Sequence, residues 1–105
     1  MHFLIVGAGF TGIRVAFRLL AAGHAVTVTN RKPATLNATS NPNLAAVPFE
    51  WRPGEPARLP SPPPGARWRT LISLPSVKTA GGLADPTADV AAAIAPHSER
   101  LVVER

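Results

Sequence analysis

The feature that most restricts this chain is its glycine run, Gly7-Ala8-Gly9-Phe10-Thr11-Gly12, set between an apolar stretch and an amphipathic one. Before it stands Phe3-Leu4-Ile5-Val6, a continuous apolar run of the kind buried on both faces of a parallel sheet. After it, the stretch from Thr11 to Ala22 carries apolar residues at Ile13, Ala16, Phe17, Leu20 and Ala21. That is helical spacing, with Arg14 and Arg18 one turn apart on another face. Gly23 supplies a helix stop. Ala25-Val26-Thr27-Val28-Thr29 is rich in β-branched residues and reads as a second strand. Strand, glycine turn, helix and strand within about thirty residues make a βαβ unit, whose crossover is right-handed.

The remainder extends the alternation. Asn30 to Asn43 is polar, with Pro33 and Pro42 near its ends and room for a short helix over 34–38. Leu44 to Trp51 reads as a third strand, and Pro48 within it points to a sheet edge. Residues 53–64 hold six prolines in twelve positions. A helix cannot run through them, because each proline removes a donor and clashes with the preceding turn. An extended surface loop therefore takes the place of the helix that would cross from the third strand to the fourth. Trp51 and Trp68 flank this loop and are expected to bury it against the sheet. Trp68 to Leu74 reads as the fourth strand, closed by Pro75, and Gly81-Gly82 as a flexible joint. Asp85-Pro86 offers an N-cap with proline at the first helical position. Val90, Ala91, Ile94 and Ala95 give the next helix its apolar face, Pro96 stops it, and Leu101-Val102-Val103 is a last strand. These elements predict an α/β fold: a Rossmann-like, doubly wound parallel sheet of about five strands in the order 3-2-1-4-5, with residues 1–105 forming a single domain.

In that setting each glycine has a physical task. Gly7 permits the tight turn off the strand, Gly9 lets the backbone approach a pyrophosphate, and Gly12 lets the helix pack closely on the sheet. The helix start offers free N–H groups and a positive dipole end to phosphates, and Thr11 adds a hydroxyl. The ligand expected is a dinucleotide. A flavin or NAD site normally places an acid at the end of the second strand to hold a ribose diol. Here that place reads Thr29-Asn30-Arg31-Lys32, and the first acid in the chain is Glu50. A neutral side chain beside two cations suits a 2′-phosphate. The residues thus predict NADP, with NAD less favoured and FAD disfavoured, held by Gly7, Ala8, Gly9, Phe10, Thr11, Gly12, Asn30, Arg31 and Lys32.

Composition narrows the other classes. There are no cysteines, which excludes disulfides and thiolate metal sites. His2, His24 and His97 are far apart, so no metal site is expected. The net charge is +5, but the cations are scattered and no aromatics interleave with them, which argues against nucleic acid. No apolar run reaches the roughly eighteen residues that span a membrane, and the N-terminus lacks the basic start of a secretory signal. A cytoplasmic protein without membrane contact is expected. Asp85 and Asp89 read as helix-start carboxylates rather than a catalytic pair.

Phe3 to Gly12, continued by Ala21-Ala22-Gly23-His24-Ala25-Val26 and Asn30-Arg31-Lys32-Pro33, resembles the start of an NAD(P)-dependent epimerase/dehydratase of the extended or atypical short-chain dehydrogenase/reductase superfamily. Leu71-Ile72-Ser73-Leu74-Pro75-Ser76 is similar to the fourth strand of that group, and Arg100-Leu101-Val102-Val103 to the strand leading to its catalytic serine. The resemblance implies that Ser73, Leu74 and Pro75 lie beside the cofactor, and that an acid after the third strand, here Glu50, reaches adenine. It also implies a Tyr-x-x-x-Lys pair as the acid/base, yet this chain contains no tyrosine. No catalytic residue is therefore assigned. The expectation is an NADP-binding, oxidoreductase-like domain lacking its catalytic and substrate half. The alternative is a non-catalytic nucleotide-binding or regulatory module. An open fifth strand exposes a pairing edge, which makes a homodimer a candidate assembly.

Overall fold

A computed structural model of the chain describes residues 2–7, 10–30 and 41–104, with the backbone alone at Phe10, Thr11 and Asn30. Strand β1 (His2–Val6) leads into helix α1 (Phe10–Ala21), strand β2 (Ala25–Asn30) and strand β3 (Leu44–Pro48). After the proline loop come β4 (Trp68–Ile72), two short strands β5 (Val77–Thr79) and β6 (Gly82–Ala84), helix α2 (Thr87–Ile94), a 3₁₀ turn over Ala95–His97, and β7 (Ser98–Val103).

Among the described residues, five strands form one parallel sheet in the order β3-β2-β1-β4-β7. The order is the one expected, with the last strand now numbered seventh. The two extra strands are an antiparallel hairpin outside the sheet, pairing Val77 with Ala84 and Thr79 with Gly82. The joint expected at Gly81-Gly82 only overlaps the turn of this hairpin, which is Ala80-Gly81; Gly82 opens β6 with a positive φ.

Each face of the sheet has its own core, as the alternation of side chains along a strand requires. Ile5, Val26 and Val28 pack with Ala16 and Leu20 of α1. Leu4 and Val6 pack on the opposite face with Trp68, Ile72, and Val90 and Ile94 of α2. Each buried Leu, Ile or Val side chain among these contributes about 2 kcal/mol of transfer free energy. Ala57 and Leu59 from the proline loop pack against the α2 side, so the loop covers sheet surface that a crossover helix would otherwise cover. Both tryptophans fasten it there. Trp68 is buried and its Nε1–H donates to the Pro60 carbonyl at 3.0 Å. The half-buried Trp51 donates through Nε1 to Asp89 Oδ2 of α2 at 3.1 Å.

Boundaries differ from expectation where strand ends are polar or proline-bearing. β3 stops at Pro48 rather than running to Trp51. Pro48 pairs with Asn30 as the last rung of an edge strand, where a missing donor costs least. β7 begins at Ser98, three residues early, because its ladder with β4 extends back through Arg100 to Ser98, skipping the exposed Glu99. Helix α2 starts at Thr87, one residue later than expected, so Pro86 rather than Asp85 takes the N-cap position; Asp85, one residue before it, accepts the Thr87 N–H at 2.9 Å. The short helix expected over 34–38 lies outside the described residues.

Candidate functional site

The sheet order β3-β2-β1-β4-β7 reverses its direction of winding between β1 and β4, the place where open α/β sheets bind ligands beyond their C-terminal strand ends. Three such ends meet at Gly7. The β1 end delivers the residue itself. Its φ of 85° lies in the left-handed region, which glycine alone enters without a steric penalty. A Cβ at Gly7 would overlap the carbonyl oxygen of Ser73 and stand 2.6 Å from Leu74 Cδ2. The chain leaving β4 therefore passes directly against the turn, and the Ser73 N–H donates to the Val6 carbonyl at 3.0 Å.

From the other side comes β2. Thr29, its penultimate residue and 1% exposed, accepts the Gly7 N–H at 3.0 Å through Oγ1. Helix α1 then starts within three residues of Gly7. Gly12, in its first turn, is buried against β1. A Cβ on it would stand 2.9 Å from the Gly7 carbonyl oxygen and 3.2 Å from Ile5 Cγ2. Tight turn and close helix–sheet approach are thus both visible as missing space.

Of the expected site residues, the structure brings together Gly7, Gly12, Ser73 and Leu74. Ser73 contributes backbone to this cluster, and Pro75 lies exposed just beyond it. Phe10 and Thr11 open α1, and Asn30 ends β2 beside Pro48. Ala8, Gly9, Arg31 and Lys32 lie outside the described residues. Thr29 is the addition that reading the sequence missed. Its signal there was a hydroxyl at the end of the second strand, which strand periodicity treats only as a β-branched residue. Glu50 sits beyond β3 in an open groove lined also by Pro48, Phe49, Glu55, Pro56 and Arg58, and its carboxylate pairs with Arg52 at 3.4 Å. Among the described residues no group of three His, Asp or Glu side chains could hold a metal ion, and no helix is long and apolar enough to cross a membrane.

The chain is 36% identical over 80 residues to a D-amino acid dehydrogenase of Cereibacter sphaeroides, a match covering 73% of this chain and 17% of that protein. It is 41% identical over 49 residues to the D-amino acid dehydrogenase of Rhizobium johnstonii, covering 47% and 12%. It is 45% identical over 47 residues to that of Methylobacterium radiotolerans, covering 45% and 11%. The chain thus spans less than a fifth of the length of these curated relatives. No family model and no solved structure matches it.

These matches correct two expectations. The likeness to an NAD(P)-dependent epimerase/dehydratase is overturned, since the relatives are dehydrogenases of D-amino acids. The choice of NADP over FAD falls with it, because D-amino acid dehydrogenases are typically FAD-dependent. The physical reason lies at the end of β2. A missing carboxylate disfavours a ribose diol only if a carboxylate is the sole group that can hold one, and a neutral amide such as that of Asn30 also donates and accepts hydrogen bonds. What fold and matches support together is a nucleotide-binding, Rossmann-type fold of the oxidoreductase kind.

Proposed function

We propose that this chain is the FAD-binding portion of a flavin-dependent oxidoreductase of the D-amino acid dehydrogenase kind. The observation that carries the reading is the pair of filled glycine positions. Gly7 and Gly12 leave no room for a Cβ, at the switch point of a parallel sheet, in a chain similar to D-amino acid dehydrogenases.

The residues present fit such a group. Gly7 turns the backbone sharply at the strand end, and Gly12 brings α1 down onto β1. The first turn of a helix has N–H groups without an intrahelical partner and a positive dipole end, which suits a pyrophosphate. No acidic residue stands in the first turn of α1, so nothing there repels that charge. Asn30, at the end of β2, is the residue for the ribose diol, donating and accepting where a carboxylate would accept only. When bound, FAD supplies a two-electron acceptor. The chain's own residues orient that group by its phosphates and adenosine. Because the matches cover 17% of the relatives' length at most, the proposal covers cofactor binding; oxidation of a D-amino acid belongs to the whole relatives.

Titration of the purified chain with FAD, followed by quenching of flavin fluorescence and by calorimetry, tests the reading. FAD should bind saturably at one site, and FMN, which lacks the adenosine and the second phosphate, should bind much more weakly. Tighter binding of NADP than of FAD, or equal binding of FMN and FAD, would overturn it.

A further inference from the structure

We propose that Thr29 is a positioning residue for the phosphate loop: its hydroxyl oxygen captures the Gly7 amide and so fixes which backbone donors are left for the anion. The inference rests on the reading of the loop as a dinucleotide site and deepens it.

The Gly7 N–H is the first donor after β1. In a glycine turn it has two possible uses, to face an incoming phosphate or to be held within the protein. Here it is held: Thr29 Oγ1 accepts it at 3.0 Å across 22 residues of sequence. Thr29 cannot easily swing away, because it is 1% exposed and its strand is paired on both sides. β-Branching also restricts its χ1. On the far side, the Ser73 carbonyl sits where a Gly7 side chain would be. The Gly7 peptide is thus clamped between β2 and the end of β4, and its amide is withdrawn from the anion. The donors remaining for a pyrophosphate lie further along, at the start of α1, where the helix dipole adds to them. One hydroxyl thereby fixes the Gly7 peptide at the strand end and directs the anion to the helix start instead.

Two variants separate this from a merely structural role. Thr29→Val keeps the shape and removes the acceptor; Thr29→Ser keeps the acceptor. Amide hydrogen exchange at Gly7, read by NMR on the ligand-free chain, should be slow in the wild type and in Thr29→Ser and at least tenfold faster in Thr29→Val. FAD affinity should fall about tenfold in Thr29→Val, the equivalent of one lost hydrogen bond, and return in Thr29→Ser. Exchange at amides in the middle of β1 serves as the control for global stability and should change little. Unchanged Gly7 protection in Thr29→Val, or unchanged FAD affinity despite faster exchange, would overturn the proposal. A wild-type chain that binds no FAD would instead overturn the reading of the site, and the anion-directing role with it, while the exchange measurement would still decide whether Thr29 clamps the turn.

Discussion

At Gly7 three constraints coincide: a left-handed backbone, the Ser73 carbonyl in the place of a side chain, and an amide engaged by Thr29. Gly54 shares only the first, with φ at 77° and open space around it. The pair makes a controlled comparison. Gly54→Ala should cost about 1 kcal/mol, the strain of the left-handed region alone. Gly7→Ala should cost at least about 3 kcal/mol, since backbone strain and a steric collision add. Urea denaturation of both variants measures the difference, and equal losses would show that the packing beneath Gly7 is not restrictive. Gly12→Ala pushes against the Gly7 carbonyl at 2.9 Å, so it should lift α1 from β1 and weaken FAD binding more than it weakens folding. The glycines were legible in the sequence because each answers a geometric need that no other residue meets. Thr29 was not, because its partner is a backbone amide 22 positions away and nothing in local sequence marks that bond. Asn30 shows the opposite limit: the position is legible at the end of the second strand, but the absence of an acid there disfavours a ribose diol less than it suggests, because an amide also forms those hydrogen bonds.

Among the elements, the βαβ unit was readable nearly to the residue, because glycines punctuate it and helical spacing separates a continuous apolar run from a β-branched one. The hairpin over Val77–Ala84 was not, since strands of three residues are too short to show alternation. The early start of β7 escaped for a related reason. The register between β4 and β7 shifts at Trp68/Arg69, passing from Ser98 to Arg100. The intervening Glu99 points its carboxylate at Arg69 Nε, 3.0 Å away. Polar residues at a bulged edge strand look like loop in a hydropathy pattern. The proline loop was foreseen as a loop, and the structure adds how it is fastened. Trp68→Phe would keep the ring in the core and remove the donor to the Pro60 carbonyl, leaving a stability loss of about 1 kcal/mol. Limited proteolysis should then cut within residues 53–64 sooner than in the wild type. Unaltered cleavage there would mean that the loop is held down without the Trp68 hydrogen bond, by packing and the Trp51–Asp89 contact.

For the whole molecule, sheet order places the loop at the C-terminal edge, and a net charge of +5 attracts an anionic ligand over distance. Association of FAD should therefore slow as salt is raised, with a smaller effect on dissociation, in stopped-flow fluorescence. The architecture was legible because five strands and a glycine turn admit few arrangements. A choice between NADP and FAD was not, because the two share a pyrophosphate, the group that a glycine turn and helix start suit, and differ in parts held by single side chains or by more distant chain. The most direct test is a crystal structure of the chain grown with FAD. The account predicts the pyrophosphate over the first turn of α1, with the Gly7 amide still bonded to Thr29 Oγ1. A flavin nucleotide bound elsewhere, or a phosphate accepted by the Gly7 amide in place of Thr29, would contradict it.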